Sequence, residues 1–335
     1  MLIKKEKLKV MVLYNIPQTR DEVDRISEAG VENEAMAVFN ALKKSGMEAM
    51  LFGLSDLTED FNKIVSAKPD VVFNLCEGYK ANARFEMHVA AMLELIGLKY
   101  TGNRPLTLGL SQDKVLTKKL LESKKIRTPM YQVFNEVPKH TYLNFPVIAK
   151  PSREDASLGI TEESVVSNIE DLRSVVSRLL EKYNQPILVE KFIIGREFNV
   201  SIIGEHEPRV LGIAEIDFSS IKDKHKQFTS YEAKWFEEHQ WYKSTPSVCP
   251  AQISPELKRK IEDLSIVVYK LLMGRDYGRV DIRVDGSGRV YVLEFNPNPD
   301  ISPGAGFSKA LKAAKIDYVD FIRQVVLKAK EREVI

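Results

Sequence analysis

Short apolar runs alternate with amphipathic stretches along the first 100 residues of the chain. These runs lie at 10–14, 49–51 and 71–75. Their length and composition predict buried strands, and apolar stripes at helical spacing predict one helix over about 30–45 and another that ends at Gly97. Strands that alternate with helices favour a parallel, doubly wound α/β sheet for residues 1 to about 100. Ligands of such sheets bind beyond the carboxyl ends of the strands, here near Asn15 and 74–78.

The pattern changes after residue 100. Turn signals at 101–105 precede an amphipathic helix that begins near Lys114. An apolar strand then ends in Lys150 and Pro151, a polar loop covers 152–159, and an amphipathic helix follows over about 168–182. Further strands follow, and the second of them begins an antiparallel region. They start at Ile187 and Glu197.

The last predicted antiparallel pair is a hairpin. The run 279–284 alternates charged and apolar residues, a Gly-rich turn follows at 285–288, and a second β-rich run begins at Val290. Side chains on one face of such a pair lie opposite each other, which brings together Asp281, Glu294 and Asn296, with Arg279 beside them. Two carboxylates and an amide oxygen suit Mg²⁺ that carries nucleotide phosphates.

Charged residues on a hairpin usually mark no more than its solvated face. Glu294 favours the metal site over this alternative, because it stands inside an otherwise apolar strand between Leu293 and Phe295. Similarly, most lysines of the chain are expected to be solvated surface charges. Lys150 is the best exception, since it ends an apolar strand just before a proline.

Composition places the chain among ordinary globular proteins. It has 335 residues, of which 44% are hydrophobic and 29% are charged, and its net charge of +2 gives no electrostatic argument for nucleic acid or a membrane as partner. We find no apolar run of transmembrane length and no signal-peptide pattern at the start. The cysteines Cys76 and Cys249 cannot form a disulfide framework. We therefore expect a cytoplasmic protein of two or three domains.

Several common nucleotide and metal motifs are missing. There is no GxxxxGK[ST] loop, no GxGxxG after the first strand and no HExxH, and the five histidines are scattered. Any bound nucleotide must therefore be held by side chains and strands rather than by a glycine-rich phosphate loop.

Five segments in a fixed order resemble the ATP-grasp superfamily and, within it, most resemble the D-alanine–D-alanine ligases. They are SQDKVLTKKLL (111–121), FPVIAKPSREDASLG (145–159), ILVEKFIIGREF (187–198), TSYEAKWF (229–236) and YGRVDIRVDGSGRVYVLEFNPNP (277–299). The resemblance spans nearly the whole chain. It implies an ATP-grasp fold with an N-terminal α/β substrate domain (1–100), a central α+β subdomain (101–187) and a C-terminal domain with an antiparallel sheet (188–335).

The resemblance also implies an activity and its cofactors. Such enzymes use ATP to convert a carboxylate to an acyl phosphate, which an amine then attacks, so small-molecule carboxylates and amines are the expected partners. ATP and Mg²⁺, or Mn²⁺ in its place, are the expected cofactors. Whether the chain forms a homodimer is left open.

Individual roles follow from the same resemblance. Lys114, Lys150 and Lys234 would neutralise the phosphates. The strand end formed by Glu190, Lys191, Phe192 and Ile193 would clamp adenine, and Glu197 would accept from the ribose hydroxyls. Asp281, Glu294 and Asn296 would hold one or two metal ions. Arg279 would stabilise an oxyanion, and Lys234 and Ser157 would join it as catalytic residues.

The substrate half departs from the family pattern. The loop at 74–79 lacks the usual His-Gly, Ala156 replaces the first serine of a Ser-Ser pair, and Trp235 replaces a tyrosine. The pair expected to receive the second substrate's carboxylate, Ser-Leu in the family, falls on Ala305-Gly306. Glu28, Glu32 and Glu34 are alternative carboxylates for a substrate amine. We therefore predict a carboxylate–amine ligase with another substrate; a true D-alanine–D-alanine ligase, an ATP-grasp enzyme that forms no peptide bond and a protein that only binds nucleotide remain alternatives.

Overall fold

The computed structural model describes residues 7–17, 22–236 and 238–333, with the side chains of 22–29 outside the description. The helices are α1 (Glu22–Lys44), α2 (Leu57–Ala67), α3 (Glu86–Leu95), α4 (Pro105–Gln112), α5 (Lys114–Ser123), α6 (Ile169–Tyr183), α7 (Tyr231–Trp235), α8 (Gln240–Lys243), α9 (Pro255–Leu271), α10 (Gly306–Ala313) and α11 (Tyr318–Glu331). The strands are β1 (Lys9–Asn15), β2 (Glu48–Leu54), β3 (Val71–Asn74), β4 (Tyr131–Phe134), β5 (Val147–Pro151), β6 (Val165–Val166), β7 (Ile187–Lys191), β8 (Gly195–Ile203), β9 (Arg209–Ile216), β10 (Ser247–Val248), β11 (Tyr277–Asp285) and β12 (Val290–Asn296).

The N-terminal sheet is parallel, with strand order β2-β1-β3. Alternate residues of β1 enter different cores: Val10 and Val12 pack with α1 and α11, whereas Met11 and Leu13 pack with α2 and α3. Helices therefore cover both faces, as the alternation of short apolar runs and helices predicts. The doubly wound arrangement is confirmed.

The central sheet has the antiparallel order β4-β7-β5-β6, and α6 covers one face. In β5 this places Lys150 at the carboxyl end of a strand whose Val147 and Ala149 enter the core. Strand β7 continues to Lys191 and pairs with both β4 and β5. The predicted domain boundary between residues 187 and 188 therefore falls inside a strand of the central sheet.

The C-terminal sheet is antiparallel, with order β10-β9-β8-β11-β12. One face forms a core with α9, into which β8 sends Phe198, Val200 and Ile202 and β11 sends Val280, Ile282 and Val284. Because side chains alternate along a strand, the intervening residues of β8 and β11 lie on the opposite face. These are Glu197, Asn199, Ser201, Arg279, Asp281 and Arg283.

Seven helices that the sequence analysis did not predict are present among the described residues: α2, α4 and α7 to α11. Helix α2 carries apolar residues at helical spacing, Leu57, Phe61 and Ile64, a signal that the sequence analysis did not use; Ile64 is fully buried, whereas Phe61 is exposed. Helix α4 begins at Pro105 within the segment of turn signals, because proline suits the first turn of a helix as well as a turn. No helix in the described part of the chain is long and apolar enough to cross a membrane.

Asn103 joins the N-terminal sheet region to the hairpin. Its side-chain amide donates to the carbonyl oxygens of Tyr277 (2.9 Å) and Pro297 (2.6 Å), and its Oδ1 accepts from the backbone N–H of Arg275 (2.7 Å). Asn103 is buried, so these three bonds have no water to replace them. One side chain thus fixes the start of β11 relative to the end of β12.

We predict that Asn103→Ala lowers the free energy of unfolding by roughly 2–4 kcal/mol, because three buried backbone groups lose their partner. Urea denaturation of the purified protein measures this change. Asn135→Ala, which truncates an exposed asparagine, is the matched control and should leave stability almost unchanged. Equal stability of both variants would show that the Asn103 bonds are replaceable.

Candidate functional site

A one-residue bulge in β12 forms the floor of the candidate site. Asp281 pairs with Glu294 and Ile282 pairs with Val292, so Leu293 has no partner opposite it on β11. The extra residue reverses the alternation of β12, and Phe295 joins Val292 in the core. Glu294 and Asn296 consequently face the same side as Arg279 and Asp281. The residues that the sequence predicted to converge do so, but through a bulge that simple alternation does not predict.

Hydrogen bonds hold the hairpin side chains in place. Arg279 makes a two-point contact with Asp281, with Nε and Nη2 each 2.7 Å from a carboxylate oxygen. Asn199 on β8 donates to Asp281 Oδ1 at 2.8 Å. The Asn296 Oδ1 atom accepts from the backbone N–H of Asn298 at 2.9 Å. These bonds orient the acidic and amide oxygens before any ligand binds.

Glu294 is held ionised by its surroundings. Burial alone would raise the pKa of its carboxyl, but four nearby cations outweigh burial and lower that pKa to about 2. The cations are Lys114, Lys150, Arg279 and Lys234. Lys114 forms an ion pair with Glu294, with its Nζ 3.7 Å from Oε2. An anionic oxygen is therefore available at the centre of a cluster of positive charge.

Glu190 organises the lysines on the phosphate side. Its buried carboxylate forms ion pairs with Lys118 and with Lys150, whose Nζ lies 2.5 Å from Oε2. Burial would raise the pKa of Glu190, but the two ammonium groups outweigh it and lower the pKa. Lys118 also donates to Thr128 Oγ1 at 2.5 Å. The Glu190 side chain, which the sequence analysis expected in the adenine clamp, thus forms ion pairs with two lysines.

Lys114 belongs to the same charged cluster. It is buried, and its Nζ donates to the carbonyl oxygen of Glu154 (2.5 Å) and to Asp155 Oδ1 (3.1 Å). Burial tends to lower the pKa of Lys114, but the nearby carboxylates raise it overall. The lysine therefore connects the polar loop at 152–159 to the metal-side carboxylate Glu294.

The strand end that the sequence assigns to adenine lies at the junction of β7 and β8. The Lys191 Nζ donates a hydrogen bond to the carbonyl oxygen of Phe145 at 2.9 Å. The buried ring of Phe192 packs edge-to-face against the ring of Phe228. Glu197, expected to accept from ribose, already accepts from Thr229 Oγ1 and from Arg283 Nε, both at 3.1 Å. Its carboxylate is thus oriented by two donors.

The polar loop at 152–159 and α7 form the roof. Ser157 Oγ donates to the carbonyl oxygen of Thr229 at 3.3 Å, and Trp235 Nε1 donates to the carbonyl oxygen of Ala156 at 3.0 Å. A Cβ placed on Gly30 would lie 3.2 Å from the Trp235 ring, so α1 and α7 also pack closely. Ala156 and Trp235, which stand where the family has a serine and a tyrosine, are therefore in contact with each other.

Lys234 on α7 enters the cleft from the roof. Among the described residues no hydrogen bond or ion pair holds its ammonium, which lies 5.1 Å from the Trp235 ring centroid. Burial and the neighbouring charge of Arg279 lower the pKa of Lys234. An ammonium that the described residues hold by no hydrogen bond or ion pair suits a ligand that brings negative charge.

Carboxyl groups of the N-terminal domain border the substrate side. Glu34 is buried and accepts from the backbone N–H of Ile301 at 2.8 Å, whereas Glu32 is exposed. Burial raises the pKa of Glu34 well above its usual value, and the charges of Asp300 and Glu77 add to this effect. The Glu28 side chain lies outside the described residues. Of the two described candidates, Glu34 contacts the segment that follows the metal-side strand.

Three residues that the sequence reasoning did not select contribute to the site. Lys118 follows Lys114 by four residues, a spacing that puts both on one face of a helix and could have identified it. Arg283 continues the alternation that starts at Arg279 and Asp281, which is a comparable signal. Asn199, on β8, carried no such signal, because its bond to Asp281 depends on the register of two distant strands.

Comparison with known proteins identifies related chains. A family model described as the D-ala D-ala ligase C-terminus matches residues 109–327, more than half of the chain. The uncharacterized protein y4sG of Sinorhizobium fredii is 34% identical over 89% of this chain and 88% of its own length. The D-alanine–D-alanine ligase of Bordetella petrii is 29% identical over 96% of this chain and 92% of its own.

The fold has a solved counterpart. The crystal structure of D-alanine–D-alanine ligase from Bacillus anthracis complexed with ATP matches with a TM-score of 0.75 and 20% sequence identity. The match covers 96% of this chain and 97% of that one. The predicted ATP-grasp fold class is thereby confirmed.

We predict that Glu190→Gln lowers the free energy of unfolding by about 3–5 kcal/mol, because Lys118 and Lys150 become buried charges without a counter-ion. Urea denaturation at neutral pH measures the change. Glu163→Gln breaks an exposed ion pair with Arg178 and is the matched control, for which we expect less than about 1 kcal/mol. A small effect of Glu190→Gln would mean that the lysines are neutral or well hydrated.

Proposed function

Because the chain belongs to the D-ala D-ala ligase family, it is an ATP-dependent, ADP-forming carboxylate–amine ligase, and we propose that the cleft over the β11–β12 hairpin carries both of its half-reactions. One observation supports this most strongly. Ionised Glu294 lies beside Asp281 and amid four cations, on the sheet face that the bulge creates. A site of this charge pattern can bind a polyphosphate and its counter-ion together.

The proposed chemistry has two steps. A carboxylate oxygen of the first substrate forms a bond to the γ-phosphorus of ATP while the bond to ADP breaks. The amine of the second substrate then attacks the acyl carbon, phosphate leaves, and the amine loses a proton. Lys114, Lys150 and Lys234 neutralise charge on the phosphates in this scheme, and Arg279 stabilises the oxyanion of the tetrahedral intermediate.

Arg279 is suited to its proposed role because it is already oriented. Its two-point contact with Asp281 fixes the plane of the guanidinium. Burial would lower the pKa of Arg279, but Asp281 and further carboxylates raise it, so the group stays charged. Ser157, on the roof, would contact the first substrate as the equivalent of the second family serine.

The donor set fits a hard divalent cation. Among the described residues no group of three or more His, Cys, Asp or Glu side chains could hold a metal ion by itself, but the hairpin presents two carboxylates and an amide oxygen. Mg²⁺ binds well to one or two carboxylates together with phosphate oxygens, so Asp281, Glu294 and Asn296 would hold it jointly with ATP. When bound, the ion would neutralise phosphate charge; Mn²⁺ has similar ligand preferences.

The substrate side supports a substrate other than D-alanine in the acceptor position. Ala305 precedes α10 and has no side-chain donor for a carboxylate. Asp300, Glu34 and Glu77 add carboxyl groups to the same region. A cytoplasmic location and the absence of nucleic-acid partners stay predictions of the sequence.

We predict that Glu294→Gln lowers the rate of ADP formation by about 100-fold or more, because Mg²⁺ prefers an anionic oxygen and the variant keeps the shape of the side chain. ADP release with ATP, Mg²⁺ and a mixed pool of amino acids and amines measures this. Glu207→Gln removes the same charge from an exposed turn and is the control.

The dependence of activity on Mg²⁺ concentration shows whether Glu294 acts by binding the metal ion or in another way. If Glu294 binds the ion, the variant should require a higher Mg²⁺ concentration for half of its residual activity. Activity within a few-fold of wild type, with unchanged Mg²⁺ dependence, would exclude the hairpin as the metal site.

We also predict that D-alanine as the sole amino acid, at millimolar concentration with ATP and Mg²⁺, yields little or no dipeptide. Each charge-assisted hydrogen bond that a substrate carboxylate fails to make costs on the order of 1.5–3 kcal/mol. Mass spectrometry of the products measures the outcome, and the mixed pool is the positive control. Efficient synthesis of D-alanyl-D-alanine would contradict this prediction and would show that the chain is a true D-alanine–D-alanine ligase.

A further inference from the structure

Arg283 is a buried arginine that no step of the proposed chemistry uses. It follows the metal-side residue Asp281 by two positions on β11 and faces the same side of the sheet. Its side chain is only 3% exposed, and its guanidinium lies 4.7 Å from the Phe192 ring centroid. A charged group in such surroundings needs several partners.

The guanidinium donates to three separate segments. Nε bonds to Glu197 Oε2 on β8 at 3.1 Å, and Nη1 bonds to the carbonyl oxygen of Ile193 at 2.7 Å. Nη2 bonds to the carbonyl oxygen of Gln227. Arginine suits this arrangement because its planar fork offers five donors in fixed directions, whereas lysine offers a single mobile point charge.

The three segments have different places in the nucleotide site. Ile193 ends the strand proposed to line adenine, and Glu197 is the proposed acceptor of the ribose hydroxyls. Gln227 begins the segment 227–236, which contains Thr229 and leads into α7 with Lys234. The same segment is hydrogen-bonded to the polar loop at 152–159. Ser157 donates to the carbonyl oxygen of Thr229, and Trp235 donates to the carbonyl oxygen of Ala156.

We propose that Arg283 is a positioning residue that couples nucleotide binding at Glu197 and Ile193 to closure of the segment 227–236 over the phosphates. This inference rests on the proposed function for the location of the nucleotide. A nucleotide that orders Glu197 and Ile193 also orders the guanidinium that both accept from. Ordering the guanidinium favours the Gln227 contact, which places Lys234 in the cleft.

The coupling must be reciprocal. If the nucleotide favours the closed segment, then loss of the link lowers nucleotide affinity by the same factor by which it lowers the preference for closure. Thr229 provides a second link, because its hydroxyl donates to Glu197 directly. That bond is a single contact through a rotatable hydroxyl, so we expect Arg283 to carry most of the effect.

The test compares wild type with Arg283→Met, which fills a similar volume without donors. Calorimetry measures the affinity for ADP with Mg²⁺, and amide hydrogen exchange measures protection of 227–236 at saturating nucleotide. We expect wild-type exchange in this segment to slow by about tenfold on binding and the variant's to slow less than about twofold. We also expect the variant to bind ADP about tenfold more weakly.

Arg196→Met is the matched control. Arg196 lies on β8 and pairs with Glu215 through Nε and Nη2, both at 2.6 Å, but it is partly exposed and contacts no proposed nucleotide residue. This variant should keep wild-type affinity and wild-type protection of 227–236. An effect equal to that of Arg283→Met would overturn the proposal, because any Arg–Glu pair of the sheet would then suffice.

Arg283→Lys keeps the proposal testable if the methionine variant does not fold. Lysine retains the charge beside Glu197 but cannot donate to three diverging acceptors at once, so protection of 227–236 should still be lost. Wild-type protection in Arg283→Lys, or in a folded and saturated Arg283→Met, would overturn the coupling. Neither measurement needs a second substrate, so a protein that shows the coupling but makes no product would contradict the proposed function alone.

Discussion

The bulge at Leu293 is the constraint on which the site depends. Without the extra residue, a strand of period two would place Glu294 on the same face as Val290 and Val292, in the core beneath α9. With it, the apolar Phe295 completes that core and Glu294 faces Asp281 across the hairpin. The same hairpin thus serves as half of a hydrophobic core and as the acidic floor of the cleft.

Charge balance in the cleft follows from this placement. Two carboxylates, Glu190 and Glu294, stand among buried lysines, and each lowers the free-energy cost of holding positive charge away from water. Glu190 is fully engaged by Lys118 and Lys150, whereas Lys234 has no comparable protein partner in the described chain. The charged groups on the side of the central sheet are therefore paired with each other. On the roof, Lys234 would gain a comparable partner when an anionic ligand binds.

The sequence predicted those parts of the molecule that local patterns determine. The doubly wound N-terminal sheet, α6 and the β11–β12 hairpin each carry a clear period, and all three are present. Helices α2, α9 and α11 also carry apolar residues at helical spacing, which the sequence analysis overlooked, and α4 begins at a proline that resembles a turn. The pairing of Glu197 with Arg283, the Glu190–Lys118 contact and the bond of Asn199 to Asp281 depend on strand register and on helix packing, which short-range patterns do not contain. The ligand roles of all these residues remain proposals.

The central claim is that the cleft activates a carboxylate as an acyl phosphate. Transfer of ¹⁸O tests it most directly: the protein is incubated with ATP, Mg²⁺, amine acceptors and a pool of amino acids whose carboxylates are labelled with ¹⁸O. Attack of the amine on an acyl phosphate leaves the bridging carboxylate oxygen on the phosphate, so we expect one ¹⁸O atom in the inorganic phosphate released with each ADP. Formation of ADP with unlabelled phosphate, at the same rate with and without the pool, would contradict it and would show hydrolysis of ATP by water instead.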